Sequence, residues 1–277
     1  AYLERIPSPA VRLEAPQGRH HLKADPGGNF YPADFMPTAV VIDGAYFLRR
    51  FKRAFAKLDS TDPQAIGFGI TYLAGWHLGY RDGFRGEWSD AQLKRFRPQE
   101  TSDLYRVFFY DCPPLLKKVH HPISGKSLDL SKTETARFRL ALHEHLQHVR
   151  KVALRLGRLN DDFSWRLKKD AWKPWLDQKG GTPPSDDDFE IDVVQKGVDM
   201  RLGLDVAAMA FKRQVDQIIL VAADGDFVPA VKLARREGID VVLDPMGGRP
   251  ALDLVQHVDG VRTCPTSAVV LHGGGGS

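Results

Sequence analysis

The residues whose type and spacing best suit chemistry are aspartates that close apolar runs. Ile218–Phe227 reads IILVAADGDF, an apolar stretch that ends in Asp224 and Asp226 with one glycine between them. Ala39–Asp43 reads AVVID and is followed by Gly44. A strand buried on both faces is a continuous Val/Ile/Leu run, so each carboxylate falls where a strand of a parallel sheet stops, at the rim where α/β ligand sites form. Two such endings imply one shared acidic pocket. In Val194–Met209, Lys196, Gly197 and Asp199 stand just before another apolar-periodic helix, and Asp205 follows on it.

Carboxylates about 4 Å apart repel by roughly 4 kcal/mol per pair at an effective dielectric near 20, so several cannot stay ionised together without help. A divalent cation provides it. All-oxygen ligation suits Mg²⁺ or Mn²⁺ rather than zinc, and a hydrated Mg²⁺ is the ion used on phosphate-containing substrates. The competing reading is structural: Asp224-Gly225-Asp226 is a turn that caps the next helix, since Asp and Gly are favoured in both roles.

Four pieces of the chain, in order, resemble the NYN domain family, the LabA-like branch of PIN-like nucleases. They are VVIDGAYFLRR at 40–50, YRVFFYDCPP at 105–114, KGVDMRLGLD at 196–205 and VAADGDFVPAV at 221–231. The resemblance implies an α/β, PIN-like three-layer fold with a mainly parallel central sheet flanked by helices. It also implies a metal-dependent RNase centre. Asp43 matches the acid ending the first strand, Asp199 the acid of the KGVD element, and Asp224 and Asp226 the acids of the family's S-G-D-x-D-F segment. On this reading Asp43, Asp199 and Asp224 hold Mg²⁺ or Mn²⁺, and Asp226 orients a ligand or the attacking water. The chain departs from the pattern at Ala45 and Tyr46, where Asp-Gly-x-Asn is common, and at Ala222 and Ala223, where Ser-Gly is usual.

At 277 residues and 43% hydrophobic content, the chain can bury a sizeable core. No uninterrupted apolar span approaches membrane length, and no N-terminal segment joins a basic start to an apolar core, so a cytoplasmic protein without a membrane span is expected. Cys112 and Cys264 are the only cysteines and lack zinc-type spacing, which predicts reduced thiols. Residues 1–37, rich in Pro and Gly, read as an irregular extension suited to wrapping a partner. Residues 38–265 form the nuclease-like domain, with a basic helical and hairpin insert at about 132–195, and 266–277 is a tail ending in the flexible GGGGS.

Strands are expected near 38–43, 105–110, 217–223, 239–243 and 260–263. Helices are expected near 45–58, 63–80, 133–157, 199–213, 226–237 and 250–256, an alternation that predicts a parallel sheet. Within 161–195, Phe163–Lys169 and Phe189–Gln195 look extended, around a polar loop at Gly180–Asp188.

Net charge is +4, and Lys132–Lys173 concentrates eleven Lys/Arg against five acids. Trp165, Trp172 and Trp175 interleave with these cations, a pairing used to bind single strands. The candidate nucleic-acid contacts are therefore Lys196, Arg150, Lys151, Arg155, Trp165, Lys168 and Lys169, against the alternative of a solvated basic face packed on core aromatics. His143, His145 and His148 share one predicted helix but lack a completing zinc set and read as surface or core residues. Asp111, followed by Cys-Pro-Pro, reads as a turn residue near the site, and His120 or His121 as a lesser substrate contact.

The favoured expectation is a Mg²⁺/Mn²⁺-dependent endoribonuclease acting on single-stranded or structured RNA, with single-stranded DNA not distinguished. The alternative is a catalytically silent RNA-binding or assembly module of the same fold. A phosphatase or Toprim-like enzyme is disfavoured, because Ala45 stands where an aspartate-nucleophile phosphatase carries its second acid. Either leading reading leaves room for a homo-oligomer or a regulatory partner protein.

Overall fold

The computed structural model describes residues 22–24, 30–32, 37–81, 103–159, 163–172, 183–192, 195–267 and 269–270. The chain divides into two units, Ala1–Phe35 and Met36–Ser277. In the first, β1 (Leu22–Ala24) and β2 (Phe30–Pro32) pair antiparallel. Most of the Pro/Gly-rich stretch expected to be irregular, like the GGGGS tail, lies outside the described residues.

The apolar runs become the centre of the second unit. Its main strands are β3 (Thr38–Asp43), β4 (Leu104–Asp111), β7 (Val152–Leu156), β12 (Gln217–Val221), β13 (Asp240–Leu243) and β14 (Gly260–Val261). They lie in the order β14-β13-β12-β3-β4-β7, all parallel. Side chains alternate faces along a strand, and two separate cores follow. Val40, Ile42, Val107, Phe109, Ile219 and Val221 face one core. Ala39, Val41, Phe108, Tyr110, Ile218 and Leu220 face the other.

The first core is covered by α1 (Gly44–Ala54), α2 (Pro63–Arg81) and α3 (Glu134–His148), through Phe47, Phe51, Ile66, Ile70, Leu142 and Leu146. The second is covered by α4 (Val198–Phe211), α5 (Val228–Arg236) and α6 (Leu252–His257), through Leu202, Val206, Val231 and Leu254. These layers make the expected PIN-like three-layer α/β fold.

The chain runs outward from β3 through β4 to β7, then returns to the other side of β3 to start β12. Strand order therefore reverses between β3 and β12. At such a switch point the connections leave the sheet in opposite directions and open a crevice beyond the carboxyl ends of the strands.

One expectation is corrected here. The helix read through 157 stops at His148, and Val152–Leu156 is the edge strand β7, paired with β4. Lys151, at φ 61°, makes the reversal between them. Residues 134–156 thus supply a covering helix and a sheet strand, and only the later part of the stretch read as an insert stands apart. There β9 (Ser164–Leu167) pairs antiparallel with β10 (Phe189–Asp192), the expected hairpin. Two small strands, β8 (Arg158–Leu159) and β11 (Gln195–Lys196), also pair and lead the chain into α4. A further pair, β5 (Lys118–His120) and β6 (Ser127–Asp129), precedes α3.

Candidate active site

Asp43 ends β3 and caps α1, its Oδ1 accepting the Tyr46 N–H at 3.1 Å. Gly44 is required by the packing: a Cβ there would meet the Tyr110 carbonyl at 2.5 Å and the Phe109 ring at 2.7 Å. Asp224 follows β12 and caps a 3-10 turn at Gly225–Phe227, its Oδ1 accepting the Asp226 N–H at 3.2 Å. Both aspartates therefore cap through Oδ1, as the structural reading expected of the Asp224-Gly225-Asp226 turn. Asp199 lies in the first turn of α4, entered through Gly197 in the left-handed region at φ 81°.

These acids feel one another. Burial raises the Asp43 carboxyl above its ordinary range, and the Asp199 charge adds to the rise, while the Tyr46 N–H and Arg49 oppose it. Asp199 is also raised, first by partial burial and then by Asp226 and Asp224. Asp199 on α4 thus feels both the acid that ends β3 and the two in the turn after β12. Among the described residues, no three His, Cys, Asp or Glu side chains converge closely enough to enclose a metal ion. The donor set nevertheless fits a hard, oxygen-seeking cation that keeps most of its waters, and the mutual repulsion is what such a cation relieves.

Asp111 closes β4 but serves differently. It is buried, with Arg139 Nη1 donating to one oxygen and His143 Nε2 2.8 Å from the other. Burial alone would raise its carboxyl, and these two partners more than offset that, holding it below the usual range. His143 is thus a core partner of Asp111, and His145 packs against Gly67 of α2. Both cysteines are free and buried, and burial pushes the Cys112 thiol up to about 11.

The expected nucleic-acid contacts divide. Lys196 is exposed on β11, three residues before Asp199, at the acidic rim. Arg150 and Lys151 precede β7, at the edge of the sheet opposite the acids, and Lys151 Nζ donates to the Leu104 carbonyl at 2.6 Å. Arg155 Nε donates to Asp205 at 2.9 Å, and its guanidinium lies over the Phe108 ring. Asp205 also accepts the Tyr110 hydroxyl at 2.9 Å, so it belongs to this bridge. Trp165 donates its indole N–H to the His120 carbonyl at 3.0 Å and stacks on His121, which ties the hairpin to β5. Lys168 Nζ donates to the Asp187 carbonyl at 2.5 Å. Lys169 and Trp172 are exposed, and Trp175 lies outside the described residues.

Residues of α1 escaped the sequence reading. Arg49 is exposed and acts electrostatically on Asp43. Tyr46, where an amide is common, is buried and donates its hydroxyl to the Pro245 carbonyl at 2.5 Å. Arg50 donates to the Met246 carbonyl at 2.9 and 3.3 Å. A helix carrying Arg49, Arg50, Lys52 and Arg53 without one acid was the signal available.

A six-stranded parallel sheet between two helical layers, with this strand order, is a PIN-like fold. The family model for the NYN domain, a nuclease-like fold, matches residues 146–254 of the chain. That match takes in Asp199, Asp224 and Asp226 and begins after Asp43, which joins them through the pairing of β3 with β12. No curated protein and no solved structure matches the chain.

Proposed function

We propose that this chain is a Mg²⁺/Mn²⁺-dependent endoribonuclease of the LabA-like branch, acting in the cytoplasm on single-stranded or structured RNA. The observation that supports this reading is electrostatic: the Asp199 charge adds to the rise of Asp43, and Asp226 and Asp224 add to the rise of Asp199, on elements that end at the switch point. Asp43, Asp199 and Asp224 would hold the ion. When bound, it activates water and neutralises charge on the scissile phosphate. Asp226, exposed beside them, accepts a hydrogen bond from the attacking water, and Lys196 contacts a phosphate oxygen. Among the described residues no helix is long and apolar enough to cross a membrane.

A catalytically silent RNA-binding module of the same fold is favoured by one observation. Tyr46 takes the place of the amide, and its hydroxyl is committed to Pro245 rather than to the acids. Incubating the protein with labelled single-stranded RNA or DNA in Mg²⁺, Mn²⁺ or EDTA separates the two. Internal cleavage of RNA that EDTA abolishes supports the nuclease. Binding without cleavage under every condition supports the silent module.

A further inference from the structure

An acidic centre repels the polyanion it is meant to cut. A bound divalent ion compensates the phosphate it touches, but phosphates on either side of that one still approach four carboxylates. They need fixed cations, and the segment expected to provide them does not reach. Arg150 and Lys151 lie at the opposite edge of the sheet, and Arg155 is paired with Asp205.

Besides Lys196 on β11, the cations at the acidic edge come from α1 and the loop after β13. Tyr46, Arg49, Arg50 and Arg53 fall at i, i+3, i+4 and i+7 and share one face of α1. That face meets the loop 244–250: Tyr46 donates to the Pro245 carbonyl and Arg50 to the Met246 carbonyl. The loop is fixed from within as well. Asp244, fully buried, sits 2.9 Å from His77 and accepts the Met246 N–H at 2.7 Å. Gly247 adopts φ 68°, and a Cβ there would stand 3.5 Å from Arg50 Nη2, so the loop folds over the Arg50 guanidinium. On its far side the Ala251 N–H donates to the Ala223 carbonyl at 2.8 Å, beside Asp224. The loop therefore spans the gap between α1 and the Asp224 turn, with Arg249 exposed on it. Arg49 and Arg249 make no hydrogen bond or ion pair with the described residues, whereas Arg50 is used up as a tether.

Resting on the nuclease reading above, we propose that Arg49 and Arg249 form a phosphate-binding rim that grips the backbone of the nucleic-acid strand next to the scissile bond, with Arg50 as the residue that positions the loop. The guanidinium fork suits phosphate oxygens in a bidentate grip. The Arg49 charge pulls the Asp43 carboxyl and the Tyr46 hydroxyl back down against the rise that burial causes, so its charge reaches the site. The shared ligand chemistry is the phosphodiester, and RNA and DNA strands are its two sources.

The test measures binding of oligouridylate RNA and oligothymidylate DNA of equal length in EDTA across a salt series. Arg49→Gln with Arg249→Gln should lower the log–log salt slope by roughly 1.4, about 0.7 per lost contact. Arg49→Lys with Arg249→Lys should keep the wild-type slope, and Lys232→Gln with Arg236→Gln on α5 should leave it unchanged. An equal loss for both strands marks a backbone grip, and a loss confined to RNA assigns the rim to RNA phosphates. A wild-type slope in the Gln pair, a Lys pair that behaves like the Gln pair, or no binding by wild type overturns the rim. Hydrolysis by wild type in Mn²⁺ is read separately. Hydrolysis with an unchanged slope keeps the nuclease and removes the rim, while a reduced slope without hydrolysis keeps the rim and removes the nuclease.

Discussion

Neighbouring parallel strands β3 and β4 each end in an aspartate, and the fold treats the two in opposite ways. Asp111 on β4 is fully buried, is met by Arg139 and His143, and lies below the usual carboxylate range. Asp43 on β3 is half-buried, has one backbone N–H at 3.1 Å and other carboxylates nearby, and lies above that range. Burial pushes both upward, so the difference is compensation. The element packed over the end of β4 is α3, which carries a cation and an imidazole to the carboxylate. Over the end of β3 the nearest charges include another acid, Asp199. A folded chain tolerates such an uncompensated group where a ligand completes it, which is why raised carboxylates in a cleft point to function.

The largest effect expected from this comparison is on stability, at Asp111. Asp111→Ala leaves Arg139 and His143 facing a vacancy, and breaking a buried pair costs several kcal/mol; because Arg139 is partly exposed, about 3 kcal/mol is expected. The urea midpoint should fall equally with and without Mn²⁺. Cleavage per folded molecule should stay near wild type. Cleavage lost at unchanged stability would move Asp111 into the site and erase the distinction between the two strand ends.

Asp43→Asn should do the reverse. Asparagine caps a helix nearly as well as aspartate, so α1 keeps its start, while on the proposed nuclease reading RNA cleavage should drop about a hundredfold with the loss of a charge assigned to the metal. The pH dependence carries the sign. A carboxyl raised in the folded state holds its proton more tightly there, so ionised Asp43 destabilises the fold at neutral pH. That penalty disappears as pH falls through its folded value toward the ordinary one. In EDTA the melting temperature of Asp43→Asn should therefore exceed that of wild type near pH 7, and the gap should close toward about pH 4. Asp111, held low, contributes stability that is present above the ordinary carboxylate value and lost only below it. A gap that widens on acidification would mean that Asp43 is compensated like Asp111.

How far the sequence revealed this contrast follows from physics. Strands buried on both faces are continuous apolar runs, so β3, β4, β12 and β13 were legible, as were the acids that follow the first three. The strand β7 was not. Val152–Leu156 continues the apolar periodicity of α3 without a Gly or Pro between them, because Lys151 takes the left-handed conformation that glycine usually supplies. Compensation was harder still. Asp43 and Asp111 each end an apolar run, and only the packing of α3 shows which one meets Arg139. Cations carry no spacing signature, so the basic segment looked like a nucleic-acid face until β7 turned Arg150 and Lys151 to the far edge. The loop that carries Arg249 meets α1 through Tyr46 and Arg50, a contact that no local pattern predicts.

The smallest effect concerns the bridge between the two strand ends. Tyr110 is the register partner of Asp43 and the neighbour of Asp111, and its hydroxyl shares Asp205 with Arg155. If Arg155 is held there as a structural cation, its guanidinium stiffens the strand between a compensated and an uncompensated acid and does not reach a phosphate. The pair is about half-exposed, with side-chain exposures of 41% and 28%, so water screens it and its contribution should not exceed about 1 kcal/mol. Arg155→Gln should lower the urea midpoint only slightly, because glutamine still offers Asp205 a donor. RNA cleavage should change less than about twofold, well under the factor of ten that 1.4 kcal/mol would give. The salt slope of RNA binding should remain that of wild type. A slope smaller by about 0.7 would show that Arg155 leaves Asp205 to hold a phosphate when RNA binds. The cationic rim would then extend across the end of β4, and the two strand ends would belong to one interface rather than to a site and its support.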